Sequence, residues 1–458
     1  MRRVLSVDIG STYTKAALFD LDAPAVLRQE QRPTTQQDLS VGFEQVAGSL
    51  AEKDIPVYLS SSAKGGLAIV AIGVVPALTA SVARLAAASA GGKIAAHYSY
   101  GLTGDQVAQI EALRPDIVLL CGGTDGGQER IVLKNARAIA SSALSATILY
   151  AGTGSLQEDV REVFRGWNLL VAENVMPEIG RLNIEPARAA IRRIFLDQII
   201  DGHGLARAAK ACAAPPKPTP LAVYQLAEAL RAASVDWEDT LFIDMGGATT
   251  DVYSLGKAFR GEEGMVLRGI EEPALKRTVE GDLGMRVSAR SAADTGSAYI
   301  QRRLGEVGAD PSSFAAWVKQ VTAAPEMLPS LPEDRLFDEI LAESCLYHAL
   351  LRHAGTAEEV WTPGGKVRVQ HGKDLRDVQR IVASGGWLAR FSSPAPVLCA
   401  LAEASRDSAG ASLLPHAPLV LADRHYLLPL LGNLAAEYPV EIAALARANF
   451  ARETIHAG

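Results

Sequence analysis

VDIGSTYTK, residues Val7–Lys15, is the most informative stretch of this 458-residue chain. An apolar strand ends near Asp8, and Gly10 then allows the backbone to turn closely. The next two residues, Ser11 and Thr12, offer hydroxyl and amide groups that suit a phosphate. Taken alone, the stretch is equally compatible with an ordinary β-hairpin that has a polar turn.

A second stretch, FIDMGGATTDVYSL at Phe242–Leu255, repeats this pattern in the middle of the chain. An apolar strand ends near Asp244, Gly246–Gly247 permits a turn, and Asp251 adds a carboxylate to the following strand. The turn also carries two hydroxyl groups, those of Thr249 and Thr250. Two such hairpins facing each other could hold the β- and γ-phosphates of a nucleotide, and their aspartates a hydrated Mg²⁺. The pair is much more specific than either copy.

A third stretch, IVASGGWLAR at Ile381–Arg390, predicts a strand, a double glycine and the start of a helix. Because Gly385–Gly386 lacks side chains, a flat base and a ribose could lie against the backbone there. Strand–glycine–helix turns are common, so the position of this stretch after the second hairpin is what makes it informative.

In this order, the three motifs resemble the phosphate-1, phosphate-2 and adenosine elements of the actin–Hsp70–sugar kinase superfamily. The resemblance implies an α/β fold with two lobes, built on ribonuclease H-like sheets with flanking helices, that closes around ATP and Mg²⁺. It implies that Asp8 and Asp244 are the metal-side carboxylates and that both, with Asp251, act in catalysis. The implied nucleotide contacts are Gly10, Ser11, Thr12, Lys15, Gly246, Gly247, Thr249, Thr250, Gly385 and Gly386. Glu228 is a looser candidate for activating water, and a solvated surface position is the alternative.

Longer stretches are similar to the accessory-protein family associated with adenosylcobalamin-dependent glutamate mutase. This family is called MutL after the mutase and is unrelated to the mismatch-repair protein with the same label. The resemblance spans nearly the whole chain and is carried by Ser60–Ala80, Leu119–Gly127, Ala172–Arg188, Asp244–Ser254 and Glu280–Arg286. It implies an ATP-dependent, chaperone-like reactivating factor that binds a cobalamin mutase, loosens its cofactor site and lets intact cofactor enter.

Two other functions on the same fold stay open. A small-molecule kinase would need a carboxylate base at a substrate hydroxyl, and no candidate distinct from the metal-side aspartates stands out. An actin-like filament protein would form nucleotide-dependent polymers. The chain has no GxxxxGK[ST], HExxH or GxGxxG motif, which disfavours the nucleotide and zinc sites that those motifs mark.

The order of apolar and amphipathic segments predicts the domain organisation. A first lobe is expected at 1–220, with an inserted α/β region at about 55–180 in which strands and helices alternate. The proline-rich segment Ala213–Pro220 is predicted to be a linker. A second lobe is expected at 221–422, and C-terminal helices at 423–458 are expected to return to the first lobe. Within the inserted region, Asn174, Glu178 and Arg181 are equally candidates for a partner surface and for a polar connecting loop.

Composition narrows the class of partner and the compartment. The net charge is −7, with 45 Lys and Arg against 52 Asp and Glu, and no segment has the cationic density of a nucleic-acid or membrane surface. The four cysteines are scattered rather than paired. The most apolar stretch, which starts at Leu67, contains Gly73 and Pro76 and is too short for a clean membrane span. We therefore expect a cytoplasmic protein that binds neither nucleic acid nor membrane.

Overall fold

The computed structural model describes residues 2–35, 37–50, 52, 54–62, 67–202, 205–262, 264–363, 365–390 and 395–450. The β-strands of these residues, in chain order, are β1 Arg3–Ile9, β2 Tyr13–Asp20, β3 Ala25–Pro33, β4 Val57–Ser61, β5 Ala68–Ile72, β6 Lys93–Tyr98, β7 Ile117–Leu120, β8 Thr147–Tyr150, β9 Leu169–Val171, β10 Lys217–Pro218, β11 Thr240–Met245, β12 Thr250–Ser254, β13 Met265–Leu267, β14 Lys276–Glu280, β15 Thr356–Thr362, β16 Gly365–His371, β17 Arg380–Ser384 and β18 Leu419–Ala422.

The α-helices lie between these strands and after them. They are α1 Leu39–Leu50, α2 Ser81–Ser89, α3 Gly104–Leu113, α4 Glu129–Ala140, α5 Gln157–Val163, α6 Glu185–Gly202, α7 Leu205–Lys210, α8 Thr219–Ala233, α9 Ala289–Thr295, α10 Ser297–Val307, α11 Pro311–Ala323, α12 Pro332–His353, α13 Ala395–Asp407, α14 Leu427–Leu434 and α15 Pro439–Phe450. No helix in the described part of the chain is long and apolar enough to span a membrane.

The chain forms two compact units, of which the first comprises Met1–Gly65, His203–Arg268 and Glu272–Gly458. This unit contains two five-stranded sheets, ordered β10-β4-β1-β2-β3 and β14-β12-β11-β17-β18. In each sheet a three-stranded antiparallel meander continues into two parallel strands. This duplication is the arrangement expected of an actin-like fold, so the predicted α/β fold class is confirmed.

The first unit has two buried cores. One is formed by β11, β12 and β17 with helices α9 to α13, and the other lies between the two sheets. Helices α8 and α14 pack there against apolar side chains of β1, β2, β11 and β12. All eight residues of α14, LLPLLGNL, are buried, which explains a helix without a polar face. A methyl group at Gly432 would lie 2.3 Å from the Ala222 carbonyl oxygen, so glycine is what lets α14 approach α8 this closely.

The segment Ala213–Pro220 is not the predicted linker. Lys217–Pro218 forms the edge strand β10, which pairs in parallel with β4, and Thr219 begins α8. Proline is tolerated both on an edge strand and in the first turn of a helix, because neither position needs its missing N–H. The prolines therefore mark a strand-to-helix junction. The predicted lobe boundaries at 220 and 422 stay predictions.

The second unit comprises Gly66–Gly202 and Gly269–Glu271. Its five parallel strands are ordered β6-β5-β7-β8-β9, and buried apolar residues of these strands pack against α3, α4 and α5. The alternation of strands and helices predicted for this part of the chain is confirmed.

A buried lysine is expected to make the stability of the first unit depend on pH. Lys373 is completely buried, and its Nζ donates to the carbonyl oxygens of Ser254 at 2.8 Å and Ala274 at 2.6 Å. Burial lowers the pKa of Lys373 from 10.5 to about 7, while nearby Glu272 acts in the opposite direction. Between these two values the unfolded chain carries a proton at this lysine that the folded chain lacks, so stability rises with pH.

Replacing Lys373 by methionine is therefore expected to flatten this pH dependence. Above pH 7, the free energy of unfolding of the unmodified protein should rise relative to the Lys373→Met variant, by at most about 1.4 kcal/mol per pH unit. Denaturant unfolding of both proteins at a series of pH values measures the difference. The exposed Lys366→Met change is the control and should run parallel to the unmodified protein. Parallel curves for Lys373→Met would contradict the expectation.

Candidate functional site

The two aspartate-ended hairpins of the first unit have the same turn. In the first, the Gly10 N–H donates to the Tyr13 carbonyl oxygen at 3.0 Å, and in the second the Gly246 N–H donates to the Thr249 carbonyl oxygen at 2.8 Å. Each turn follows the first strand of its own meander. The similarity seen in the sequence is thus a similarity of backbone hydrogen bonding.

The registers of the two hairpins also correspond. Asp8 pairs with Lys15 across the first hairpin, and Asp244 pairs with Asp251 across the second. The first aspartate thus faces an ammonium group, whereas the second faces another carboxylate. The two hairpins have equivalent backbones but different charges.

The structure brings the two turns together. A methyl group at Gly247 would lie 3.2 Å from Cγ2 of Thr12, so the tip of the second hairpin lies close to the tip of the first. Ser11 is half-buried in the same turn. Any bulky side chain in place of Gly247 would push the turns apart.

Asp8 lies in a polar network that fixes its carboxylate. Its Oδ1 accepts from the Ser60 hydroxyl at 2.7 Å and from the Thr219 hydroxyl at 2.6 Å, and the Tyr426 hydroxyl lies 3.4 Å from Oδ2. Asp8 is completely buried, and burial raises its pKa, opposed by these hydrogen bonds and by Lys15. The side chain is held in one orientation by three different elements: β4, the start of α8 and the start of α14.

Acidic groups from both sheets surround Lys15. Asp423 follows β18, accepts from the Ser384 hydroxyl at 2.7 Å, and caps the first turn of α14 through the Leu427 N–H at 2.7 Å. Burial raises the pKa of Asp244 to about 7, with Asp251 as the second cause. Burial likewise lowers the pKa of Lys15 to about 8, against the attraction of Asp8, Asp244 and Asp423. Such a crowded acidic site favours an added cation.

Asp251 is held by a buried ion pair. Its Oδ1 accepts from Nε of Arg277 at 2.9 Å, and its Oδ2 accepts from the Thr249 hydroxyl at 3.0 Å. The Arg277 side chain is only 1% exposed. Thr250 is also buried, and its hydroxyl donates to the Leu283 carbonyl oxygen at 2.7 Å. These contacts anchor the second hairpin, and they leave the Thr250 hydroxyl turned towards the protein.

The segment Glu280–Arg286 supports the second hairpin from behind. The Met285 N–H donates to the Gly246 carbonyl oxygen at 3.1 Å, and the Arg286 N–H donates to that of Gly247 at 2.9 Å. A methyl group at Gly284 would lie 2.5 Å from the carbonyl carbon of Ala248, so only glycine allows this approach. Packing and hydrogen bonding against the second hairpin therefore explain the EGDLGMR sequence.

The two glycines of the third motif have different environments. Gly385 has φ +113°, and a methyl group there would lie 2.1 Å from the Met245 carbonyl oxygen, so this position requires glycine. Gly386 is exposed, and a methyl group there would meet no atom within 4 Å. Gly385 allows the end of β17 to pack closely against β11, whereas Gly386 borders open space.

The donor set fits a metal ion that keeps other ligands. Among the described residues, no group of three or more His, Cys, Asp or Glu side chains is placed to hold a metal ion by itself. Asp8 and Asp244 offer oxygen atoms in an acidic environment, which suits Mg²⁺ that completes its shell with water and phosphate oxygens. The fit is to a metal–phosphate ligand rather than to a bare ion.

Sequence reasoning missed Ser60, Thr219, Asp423 and Tyr426. Asp423 had a detectable signal, because it directly follows an apolar strand. Asp8 and Asp244 occupy similar positions, each one residue before the end of its strand. Thr219 was hidden inside the supposed linker. Glu228, the looser candidate, lies exposed on α8.

The glycine-rich turn Gly122–Gly127 lies in the second unit, after β7. Gly123 has φ +69°, and a methyl group there would lie 2.0 Å from the Gly127 carbonyl oxygen. The Asn174 side chain is buried and donates to the Gly123 carbonyl oxygen at 3.1 Å and to Asp125 at 2.9 Å. Asn174 therefore organises this turn from within. The other two candidates, Glu178 and Arg181, form an exposed ion pair at 3.2 Å.

Two comparisons of the sequence with known proteins give strong matches. The chain matches the family model described as MutL protein over residues 4–450. Protein MutL of Clostridium tetanomorphum is 38% identical over 455 residues, which cover 96% of this chain and 97% of that protein.

Similarities to solved structures are much weaker. Diol dehydratase-reactivating factor in its nucleotide-free form is 12% identical, covers 96% of this chain and 100% of its own, and has a TM-score of 0.35. The activator of 2-hydroxyisocaproyl-CoA dehydratase from Clostridium difficile with bound ADPNP is 10% identical, covers 100% and 99%, and has a TM-score of 0.29. Similarity at this level says nothing about activity. The family assignment does not depend on these structures. Because the family model matches residues 4–450 and the relative is 38% identical, the chain belongs to the MutL protein family.

Proposed function

We propose that this protein is an ATP-dependent reactivating factor for an adenosylcobalamin-dependent amino-acid mutase such as glutamate mutase, acting in the cytoplasm. The observation that supports this most is the close approach of Gly247 to Thr12, because it places two equivalent aspartate-ended turns in one site. Such a site suits a triphosphate with its magnesium ion. Because the chain belongs to the MutL family, we propose a mutase as its protein partner.

The residues of the two turns would hold the nucleotide. Asp8 and Asp244 would bind Mg²⁺, directly or through water, and Lys15 would neutralise phosphate charge. The phosphate contacts would come from turn groups, namely Gly10, Ser11, Thr12, Gly246, Gly247 and Thr249. The chemistry that ATP supplies when bound is a phosphoanhydride bond whose hydrolysis releases free energy.

The contacts of Asp251 and Thr250 support positioning functions for both. The Asp251 carboxylate already accepts hydrogen bonds at both oxygen atoms, from Arg277 and from Thr249. A carboxylate held in this way stabilises the hairpin and adds negative charge beside Asp244, which favours a bound cation. We propose that Asp244 and Asp8, rather than Asp251, contact the metal ion.

Work on a partner requires that the partner distinguish two nucleotide states. The site is built from two sheets, so ATP and ADP would stabilise different arrangements of those sheets. A mutase that binds one arrangement more tightly than the other would be remodelled as the nucleotide is hydrolysed. Without such a difference in affinity, hydrolysis could not drive release of damaged cobalamin.

A reactivation assay tests the proposal. The mutase from the same cell, inactivated by a cobalamin that lacks the adenosyl group, is mixed with this protein, ATP, Mg²⁺ and adenosylcobalamin. We expect release of the damaged cobalamin and recovery of mutase activity with ATP, and neither with ADP. Steady ATP turnover that needs a small-molecule acceptor, with no effect on the mutase, would instead identify a kinase.

The two glycines of the third motif give a matched pair of variants. Gly386→Val is expected to fold normally and to weaken ATP binding by about 10-fold or more, since the branched side chain enters the space proposed for adenosine. Gly385→Val is expected to lose stability, because its side chain would collide with the Met245 backbone. Calorimetry measures affinity, and thermal unfolding measures stability. A normal ATP affinity for Gly386→Val would reject the adenosine assignment.

A further inference from the structure

The aromatic side chain of Tyr426 contacts both Asp8 and Lys15, two charged residues of the first hairpin. The Nζ of Lys15 lies 3.0 Å from the centroid of the Tyr426 ring, and the Tyr426 hydroxyl lies 3.4 Å from Oδ2 of Asp8. An ammonium group over the face of a tyrosine ring is attracted by the ring's negative face. A single side chain therefore contacts two groups that lie opposite each other in register.

The backbone that carries Tyr426 is held at both ends. Asp423, three residues earlier, accepts from the N–H groups of Leu427 at 2.7 Å and Leu428 at 2.9 Å. The carbonyl oxygen of His425 accepts from the Gln29 side chain on β3 at 2.9 Å. The connection between β18 and α14 is thus tied to its own helix and to the other sheet.

Tyr426 itself has an uncommon backbone conformation. Its φ of 52° and ψ of 49° lie in the left-handed region, which a bulky residue rarely adopts. Such a conformation persists only where the surrounding contacts impose it, and it is concentrated at functional sites. Here it directs an aromatic ring from the second sheet to the first hairpin.

We infer that Tyr426 is a positioning residue of the nucleotide site, which holds the Lys15 ammonium with its ring and the Asp8 carboxylate with its hydroxyl. This inference rests on the proposed function. The ring limits the freedom of a flexible lysine side chain, so less conformational entropy is lost when a phosphate binds. The hydroxyl is a third donor to Asp8, beside Ser60 and Thr219. It therefore acts on the carboxylate proposed to bind Mg²⁺, whereas the ring acts on Lys15, which is proposed to neutralise phosphate.

Two substitutions separate these contributions. Tyr426→Leu removes both the ring face and the hydroxyl, and it should weaken ATP binding by about 10-fold. Tyr426→Phe keeps the ring and should bind ATP within about 3-fold of the unmodified protein, while needing a higher Mg²⁺ concentration for half-maximal ATP turnover. Tyr438→Leu is the control, since Tyr438 packs against Tyr58 and should leave ATP affinity unchanged.

A double-mutant cycle with Lys15→Met gives the decisive measurement. If the Tyr426 ring acts through Lys15, the Lys15→Met/Tyr426→Leu protein binds ATP as weakly as Lys15→Met alone. Calorimetric titration with ATP and Mg²⁺ measures all four proteins. Additive losses in the double variant, an unchanged affinity in Tyr426→Leu, or equal losses in Tyr426→Phe and Tyr426→Leu would overturn the inference. Failure of the unmodified protein to bind ATP would instead overturn the proposed function.

Discussion

Replacing Asp244 by asparagine is expected to lower ATP turnover by about 100-fold or more. The amide has nearly the shape of the carboxylate but cannot neutralise a metal ion, so the loss would be electrostatic rather than steric. Asp8→Asn should have a similar effect, because Asp8 occupies the equivalent position in the first hairpin. Turnover is measured as phosphate release with saturating ATP and Mg²⁺.

The Asp244→Asn variant is expected to be at least as stable as the unmodified protein. The pKa of Asp244 is raised from 3.8 to about 7 in the folded chain. A raised carboxyl pKa contributes stability below the unfolded value, and this contribution is lost as pH rises through the folded value. At pH 8, without nucleotide or divalent cation, the charge on Asp244 is therefore a cost that asparagine removes. An inactive protein with an equal or higher Tm would identify a functional carboxylate, whereas normal turnover in Asp244→Asn and Asp8→Asn would eliminate this metal site.

Replacing Asp338 by alanine is expected to reduce the free energy of unfolding by about 3–5 kcal/mol. Asp338 lies on α12 and accepts two hydrogen bonds from the Arg286 guanidinium, at 2.7 and 2.9 Å. Its side chain is 1% exposed, so its removal would leave a largely buried positive charge without its carboxylate. Arg286 also donates its N–H to Gly247, so the second hairpin should be disturbed as well.

An exposed ion pair provides the control for this prediction. Asp236 pairs with Arg447 at 3.2 Å, and both side chains are more than half exposed. Asp236→Ala should change stability by no more than about 1 kcal/mol, because solvent screens exposed pairs. Denaturant unfolding of both variants measures the contrast. Equal losses for Asp338→Ala and Asp236→Ala would mean that the buried pair has no special importance.

The parts of the site that sequence could predict are local ones. An apolar run followed by Asp8 and Gly10 specifies a strand and its turn within a few residues, and the same holds around Asp244. Gly385 was singled out as a nucleotide contact, because a double glycine after a strand leaves room for a flat base beside the backbone. Its actual neighbour, the Met245 backbone, belongs to another strand and was not predictable.

The residues that sequence could not predict depend on register and on distant packing. Ser60 reaches Asp8 because β4 pairs with β1 in a register that places the two residues side by side. Thr219 reaches the same carboxylate because β10 adds to β4, and the prolines around it favoured a linker instead. Tyr426 comes from the far end of the chain, and its backbone conformation has no signal in the sequence. Local chemistry predicted the hairpins, and tertiary pairing supplied their partners.

The most direct test is a crystal structure with a non-hydrolysable ATP analogue and Mn²⁺, which is located by its anomalous scattering. We expect one Mn²⁺ peak beside Asp8 and Asp244, with the triphosphate against the two turns and the base beside Gly386. A nucleotide or Mn²⁺ ion bound away from both aspartates would contradict the assignment of this site.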